Sequence, residues 1–132
     1  MNTPSATVTL ESDERGTQFV GTAGDFRVVL DREEGKGPRS VDLLLLALGS
    51  CTIGTLSTYM RRKQLPTAAL RVTLSGTLLP SENRYGSVEI TLCFDPAITA
   101  EQRNILLAVA RSCRIHKTLE HCPNVRFELA NT

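Results

Sequence analysis

An α+β domain built on antiparallel sheet is the fold class this sequence predicts, and three observations predict it. Short stretches alternating branched or apolar residues with polar ones occur in groups, separated by turn residues. Only two segments have helical length and pattern: residues 41–63, and the run that begins at Asp95. The strands are joined mostly by short turns, which suits antiparallel neighbours. The predicted order is βββ-α-ββ-α-β, with residues 1–132 forming one domain.

Each element has its own reason. "ATVTLES" alternates, so residues 6–12 read as a strand, and "DERG" turns the chain. "TQFVGT" and "GDFRVVLD" follow as two short strands around "TAG". The polar, glycine-bearing loop "REEGKGPRS" then leads to the long helix. Ser40 is the expected N-cap there, and Asp42 suits the positive end of the helix dipole. In "LLLLALGSCTIGTLSTYMRR" apolar residues fall on nearly every side, which predicts a buried helix. Its far end carries Arg61, Arg62 and Lys63, and Pro66 lies past the stop. "ALRVTLSGTLLP" and "GSVEITLCF" read as a strand pair joined by "SENRYG". Val88, Ile90, Leu92 and Phe94 share one face, and Cys93 points to the other with Glu89 and Thr91. In "DPAITAEQRNILLAVARSC", Thr99 and Gln102 fit a capping box. Ile105, Val109 and Cys113 then share one stripe of the second helix, and "NVRFELA" closes the chain as a last strand.

Composition removes several function classes. With 15 basic and 14 acidic residues the formal net charge is +1, which leaves no electrostatic footprint for a nucleic acid. The amino end lacks the basic-then-apolar pattern of a secretory signal. The segment from Val41 to Met60 contains Asp42, glycines and several hydroxyls, too polar for a clear membrane span. A cytoplasmic protein is therefore expected, with its four cysteines, at 51, 93, 113 and 122, starting as thiols.

Two of those thiols sit in unusual settings. Cys51 lies in the middle of the most apolar segment, sharing a face with Leu44, Leu48 and Thr55. Free cysteine is a common core residue, so packing alone would account for it. It also lies too far into the helix for the dipole to activate it, so a lowered pKa would need a cation supplied by the fold. Cys113 has Arg111, Arg114, His116 and Lys117 around it, an electropositive setting that an ordinary helix end would also favour. Cys113, His116, His121 and Cys122 form C-x2-H-x4-H-C. The residue types suit zinc, but structural sites usually combine two separated ligand pairs, and His121 and Cys122 are adjacent. A Cys113–Cys122 disulfide would require the helix to end between them.

Taken together, "GPRSVDLLLLALGSC" and the later "ARSCRIHKTL" resemble the OsmC/Ohr family of organic hydroperoxide reductases, over nearly the whole chain. The resemblance implies an intertwined homodimer, with the antiparallel sheet wrapped around a long central helix. It implies a peroxidatic cysteine at Cys51 and a resolving cysteine at Cys113. It also implies an arginine on a loop of the first strands that helps ionise the thiol. Arg15 is the best positional match and Arg27 the lesser one. A hydroperoxide substrate, no metal or organic cofactor, and an external dithiol reductant such as a lipoyl-type dithiol complete the expectation. Leu44, Leu48, Leu56 and Tyr59 are the candidates for an apolar substrate wall. The sequence departs from the hydroperoxide-reductase branches in two places. Val41 occupies the position of the glutamate that holds the arginine, and Arg114 follows the second cysteine where proline is frequent. Asp42 is no simple replacement. Nine helical residues place it on the face opposite Cys51, roughly 13 Å along the axis. The missing glutamate keeps a second function open, a dimeric module holding a small ligand in a buried apolar pocket.

Overall fold

The computed structural model describes residues 5–130. They fall into two compact units, one ending at Leu44 and the other starting at Leu45. The first contains β1 (Thr9–Ser12), β2 (Gln18–Ala23) and β3 (Phe26–Asp31), an antiparallel sheet in the order β1-β2-β3. Gly16 closes the first turn at φ 72°, a left-handed conformation that glycine adopts without a Cβ penalty. Asp31 ends β3 as a buried carboxylate. It accepts N–H bonds from Glu33 and Glu34 at 3.0 and 2.8 Å and from Gln18 Nε2 at 3.1 Å. Led by the Glu34 bond, these contacts hold its pKa below the usual carboxylate range.

Helix α1 (Ser40–Arg62) crosses the boundary between the units. The expected cap at Ser40 is replaced by a different device. Asp42 Oδ2 accepts from the Arg39 backbone N–H at 2.9 Å and from Arg39 Nε at 3.0 Å, while its Oδ1 accepts from Nη2 at 2.8 Å. The Arg39 side chain and N–H together hold the Asp42 carboxyl down to about 2.

The second unit is built around the rest of α1. Strands β4 (Arg71–Leu79) and β5 (Arg84–Cys93) form an antiparallel pair, with a register shift at Thr77/Leu78. Leu92 and Phe94 turn toward the core and Cys93 is exposed, as the alternation predicts. The core consists of Leu56 and Met60 from α1, Ile98 from the preceding loop, and Leu106 and Ala110 from α2 (Ala100–Ala110). Gly49 packs closely where α1 meets β4. A Cβ there would lie 2.7 Å from Leu74 Cδ1. The capping box of α2 forms as read: Thr99 Oγ1 accepts from Gln102 N at 3.1 Å and Gln102 Oε1 from Thr99 N at 2.9 Å. Leu106 is fully buried, so Leu106→Ala is expected to cost about 2–5 kcal/mol, measured by denaturant unfolding.

Three features differ from the sequence reading. The long helix is not buried all round. One stripe of it is, carrying Leu48, Thr52, Leu56 and Met60 at intervals of one turn, whereas Leu46 is 64% exposed. By length and apolar composition α1 would suffice to cross a membrane, but in this unit that stripe packs as a core helix does. The second helix does not run through Cys113. It stops at Ala110 and a separate α3 (Arg114–Glu120) begins after Cys113, so Val109 and Cys113 are not on one helical stripe. The cause is local: Ser112 Oγ donates to Val109 O at 2.6 Å, and Cys113 takes an extended φ/ψ of −68°/147°. The expected last strand over 124–130 is absent among the described residues, because no neighbouring strand is present to pair with it. The α+β class and the order of elements through β5 stand as predicted.

Candidate functional site

The break between α2 and α3 builds the site. Cys113 is the N-cap of α3, and its Sγ accepts the His116 N–H at 3.3 Å, the position a serine or aspartate oxygen commonly fills. Its side chain is 1% exposed. Cys51 approaches from α1, where it sits half-buried one residue before the buried stripe. The preceding N–H of α3, that of Ile115, donates to Cys51 Sγ at 3.5 Å. The adjacent His116 N–H contacts Cys113 Sγ, and the Cys113 side chain is among the groups that lower the Cys51 thiol pKa. The structure therefore brings the two cysteines together, one open to the surface and one beneath it.

The electrostatics lower the Cys51 thiol pKa below its ordinary value. Burial pushes its thiol up. The Ile115 N–H, the Cys113 side chain, the Arg114 N–H and the Arg114 charge push it down and together prevail, so its pKa is lowered. The cation acting here is one that the sequence reading set beside Cys113. It reaches Cys51 because α3 starts where the two elements meet. Arg15, the expected partner, lies in the β1–β2 turn of the other unit. There its Nη2 donates to Thr17 Oγ1 at 3.4 Å. Arg27 pairs with Thr22 within the first sheet. If the Arg114 charge contributes as described, Arg114→Gln raises the midpoint of Cys51 alkylation against pH. The parent midpoint lies below the ordinary thiol value of 9.0, and alkylation near pH 7 slows in the variant.

Two cavities of about 670 and 710 Å³ meet at Cys51, Thr55 and Ser112. One runs along α1 past Thr58 and Tyr59 to Arg62, and the other lies against Arg114, Lys117 and Thr118. Of the expected apolar wall, Tyr59 lines a cavity at Cys51. Leu48 and Leu56 are buried in the unit, and Leu44 is 41% exposed at the end of the other. Most of the residues that line the two cavities carry a hydroxyl or a cation, and none is a leucine. The zinc grouping does not assemble: among the described residues no three His, Cys, Asp or Glu side chains converge as metal ligands. His116 Nε2 instead bonds Glu120 Oε1 at 2.9 Å, and Cys122 is exposed.

Sequence reasoning placed both cysteines but missed what holds them. The helix break and the sulfur cap carried only a weak signal, the small polar pair Ser112–Cys113 before a basic residue. Thr52, whose Oγ1 lies 3.7 Å from Cys113 Sγ, drew no attention because it stands next to Cys51.

Fold and site thus define an α+β protein with a paired, surface-reaching dithiol. The profile of the OsmC-like protein family matches residues 33–128, and the chain belongs to that family. The fold is shared with solved structures at low identity. An OsmC-like protein from Mycoplasma pneumoniae is 19% identical with a TM-score of 0.76, covering 90% of this chain and 89% of its own. The organic hydroperoxide resistance protein OhrB of Bacillus subtilis is 15% identical with a TM-score of 0.60, covering 89% and 92%. A hypothetical protein from Aquifex aeolicus reaches 0.77 at 16% identity, covering 92% of each chain. Among curated protein sequences no relative matches significantly.

Proposed function

We propose that this protein is a thiol-dependent peroxidase that reduces organic hydroperoxides in a two-cysteine cycle, acting as a cytoplasmic homodimer in oxidative-stress defence. One observation carries the reading: a half-buried Cys51 with a lowered thiol pKa, seated against a buried second cysteine. The Cys51 thiolate attacks the terminal oxygen of R–O–O–H and the O–O bond breaks. The alkoxide leaves as R–OH on taking a proton, and Cys51 becomes a sulfenic acid. Cys113 displaces the hydroxyl as water and closes a disulfide. An external dithiol of lipoyl type then restores both thiols by exchange and is itself oxidised to a disulfide. The protein thiols and that reductant supply all the electrons, so neither a metal nor an organic cofactor takes part.

The Ile115 and Arg114 N–H groups and the Arg114 charge stabilise the thiolate. Arg15 is the proposed second cation, brought to the sulfur in the dimer. Support for a dimer comes from apolar side chains left uncovered in the single chain. Phe26 in the first sheet is 78% exposed, and Phe127 and Leu129 near the carboxyl end are 95% and 99% exposed. The alternative, a small-ligand-binding dimer, draws on the hydroxyl-lined cavities and on Val41 in place of the family glutamate. A turnover assay separates the two. Catalytic loss of an organic hydroperoxide with a lipoyl-type dithiol supports the peroxidase; no loss beyond the protein-free rate supports the binding module.

A further inference from the structure

The Cys113 thiol has a partner that the two-cysteine cycle does not by itself require. Thr52 is 2% exposed, and its Oγ1 lies 2.9 Å from Leu48 O and 3.7 Å from Cys113 Sγ. A hydroxyl carries one proton and two acceptor sites. The short contact to a carbonyl, which can only accept, uses the proton. At the longer contact, therefore, Thr52 Oγ1 is the acceptor and the Cys113 S–H the donor. The sulfur in turn accepts the His116 N–H at 3.3 Å. The buried thiol is thus fixed from two directions. Thr52 and Cys51 are consecutive residues on α1, so the helix that presents the reactive sulfur also presents the oxygen that holds its partner.

We propose that Thr52 is a positioning residue for the resolving step: its side-chain oxygen takes the Cys113 S–H and leaves a sulfur lone pair facing Cys51. This rests on the two-cysteine reading above. While Cys51 is a thiolate, it competes for the same proton. Once Cys51 is a sulfenic acid the competing thiolate is gone, and Thr52 Oγ1 holds the S–H until the sulfenic oxygen takes that proton as it departs. Cys113 sulfur then attacks Cys51 sulfur, the S–O bond breaks, and the departing hydroxide leaves as water with the Cys113 proton. Thr52 neither gains nor loses a proton overall. The Leu48 carbonyl is already bonded within the helix, so removing the hydroxyl leaves no buried group unpaired at that end.

The test measures ring closure without any peroxide, in the full chain carrying Cys93→Ser and Cys122→Ser so that only the paired thiols react. An aromatic disulfide reporter is added. Cys51 thiolate displaces one aryl thiolate and becomes a mixed disulfide. Cys113 then displaces the second aryl thiolate and closes the Cys51–Cys113 bond. Thr52→Val, nearly the same shape, is expected to leave the first release within about twofold and to slow the second by about fivefold or more. Thr52→Ser, which keeps the oxygen, restores the parent rate, and Thr52→Ala replaces the valine variant if that one packs poorly. Closure at the parent rate in Thr52→Val overturns the proposal. So does a Thr52→Ser variant as slow as Thr52→Val, which would make the methyl and not the oxygen responsible, or an equal slowing of both releases. Because no hydroperoxide is used, a protein without peroxidase activity would fail the turnover assay and leave this measurement intact.

Discussion

Replacing Cys51 with serine is expected to abolish the proposed turnover, down to the rate of hydroperoxide loss without protein. The loss is total for a chemical reason. A serine hydroxyl does not ionise near neutral pH, and its oxygen cannot take up a further oxygen atom and later return it to a thiol, as sulfur does. The Ile115 and Arg114 N–H groups and the Arg114 charge then have no anion to stabilise. The fold tolerates the change, because Cys51 is only half-buried and lies outside the core formed by Leu56, Met60, Ile98, Leu106 and Ala110. The check is hydroperoxide consumption with a lipoyl-type dithiol, with unfolding compared to the parent. An unchanged rate would move the nucleophile to another thiol.

Cys113→Ser has a different signature. The residue is the N-cap of α3, and serine is a preferred N-cap, so the helix start and its His116 N–H partner are kept. The nucleophile at Cys51 is also kept. The variant is expected to consume about one equivalent of hydroperoxide per chain at the parent rate and then stop, holding Cys51 as a sulfenic acid. A sulfenic-acid-selective dione should label it, whereas the parent labels weakly because its sulfenic acid is short-lived. Excess hydroperoxide should carry the variant on to sulfinic acid, an irreversible step that the parent's disulfide prevents. Undiminished cycling of Cys113→Ser would mean that the external thiol, not Cys113, resolves the sulfenic acid.

The sequence exposes some parts of this structure and conceals others, for identifiable physical reasons. Local chemistry is legible. The capping box at Thr99 and Gln102, the alternation that turns Leu92 inward and Cys93 outward, and the hairpin of β4 and β5 follow from neighbours in the chain. What depends on a distant partner is not. The 124–130 segment has a strand's alternation, with Val125, Phe127 and Leu129 all exposed, but alternation cannot supply the strand it would pair with. The apolar girth of α1 likewise shows how much surface must be covered without showing by what. Within this chain the buried part of α1 is the stripe through Leu48, Thr52, Leu56 and Met60, with Gly49 beside it.

The site divides along the same line. Both cysteines and a basic neighbourhood could be read directly, yet the reach of that neighbourhood to Cys51 could not. Arg114 follows Cys113 in sequence, and where α3 begins its N–H and charge also act on Cys51. A continuous helix would have kept Cys113 on the Val109 stripe and left Cys51 without the Ile115 N–H. The substitution of arginine for the proline frequent in the family at 114 therefore bears on the first cysteine. That placement gives Cys51 a cation from its own chain, whatever Arg15 adds.

The most direct measurement is the disulfide map of the reduced, full-length protein after one equivalent of an organic hydroperoxide. The predicted result is a single intramolecular bond between Cys51 and Cys113, with Cys93 and Cys122 still alkylatable. Recovery of Cys51 and Cys113 as free thiols, or a bond from Cys51 to either of the other two cysteines, would contradict it.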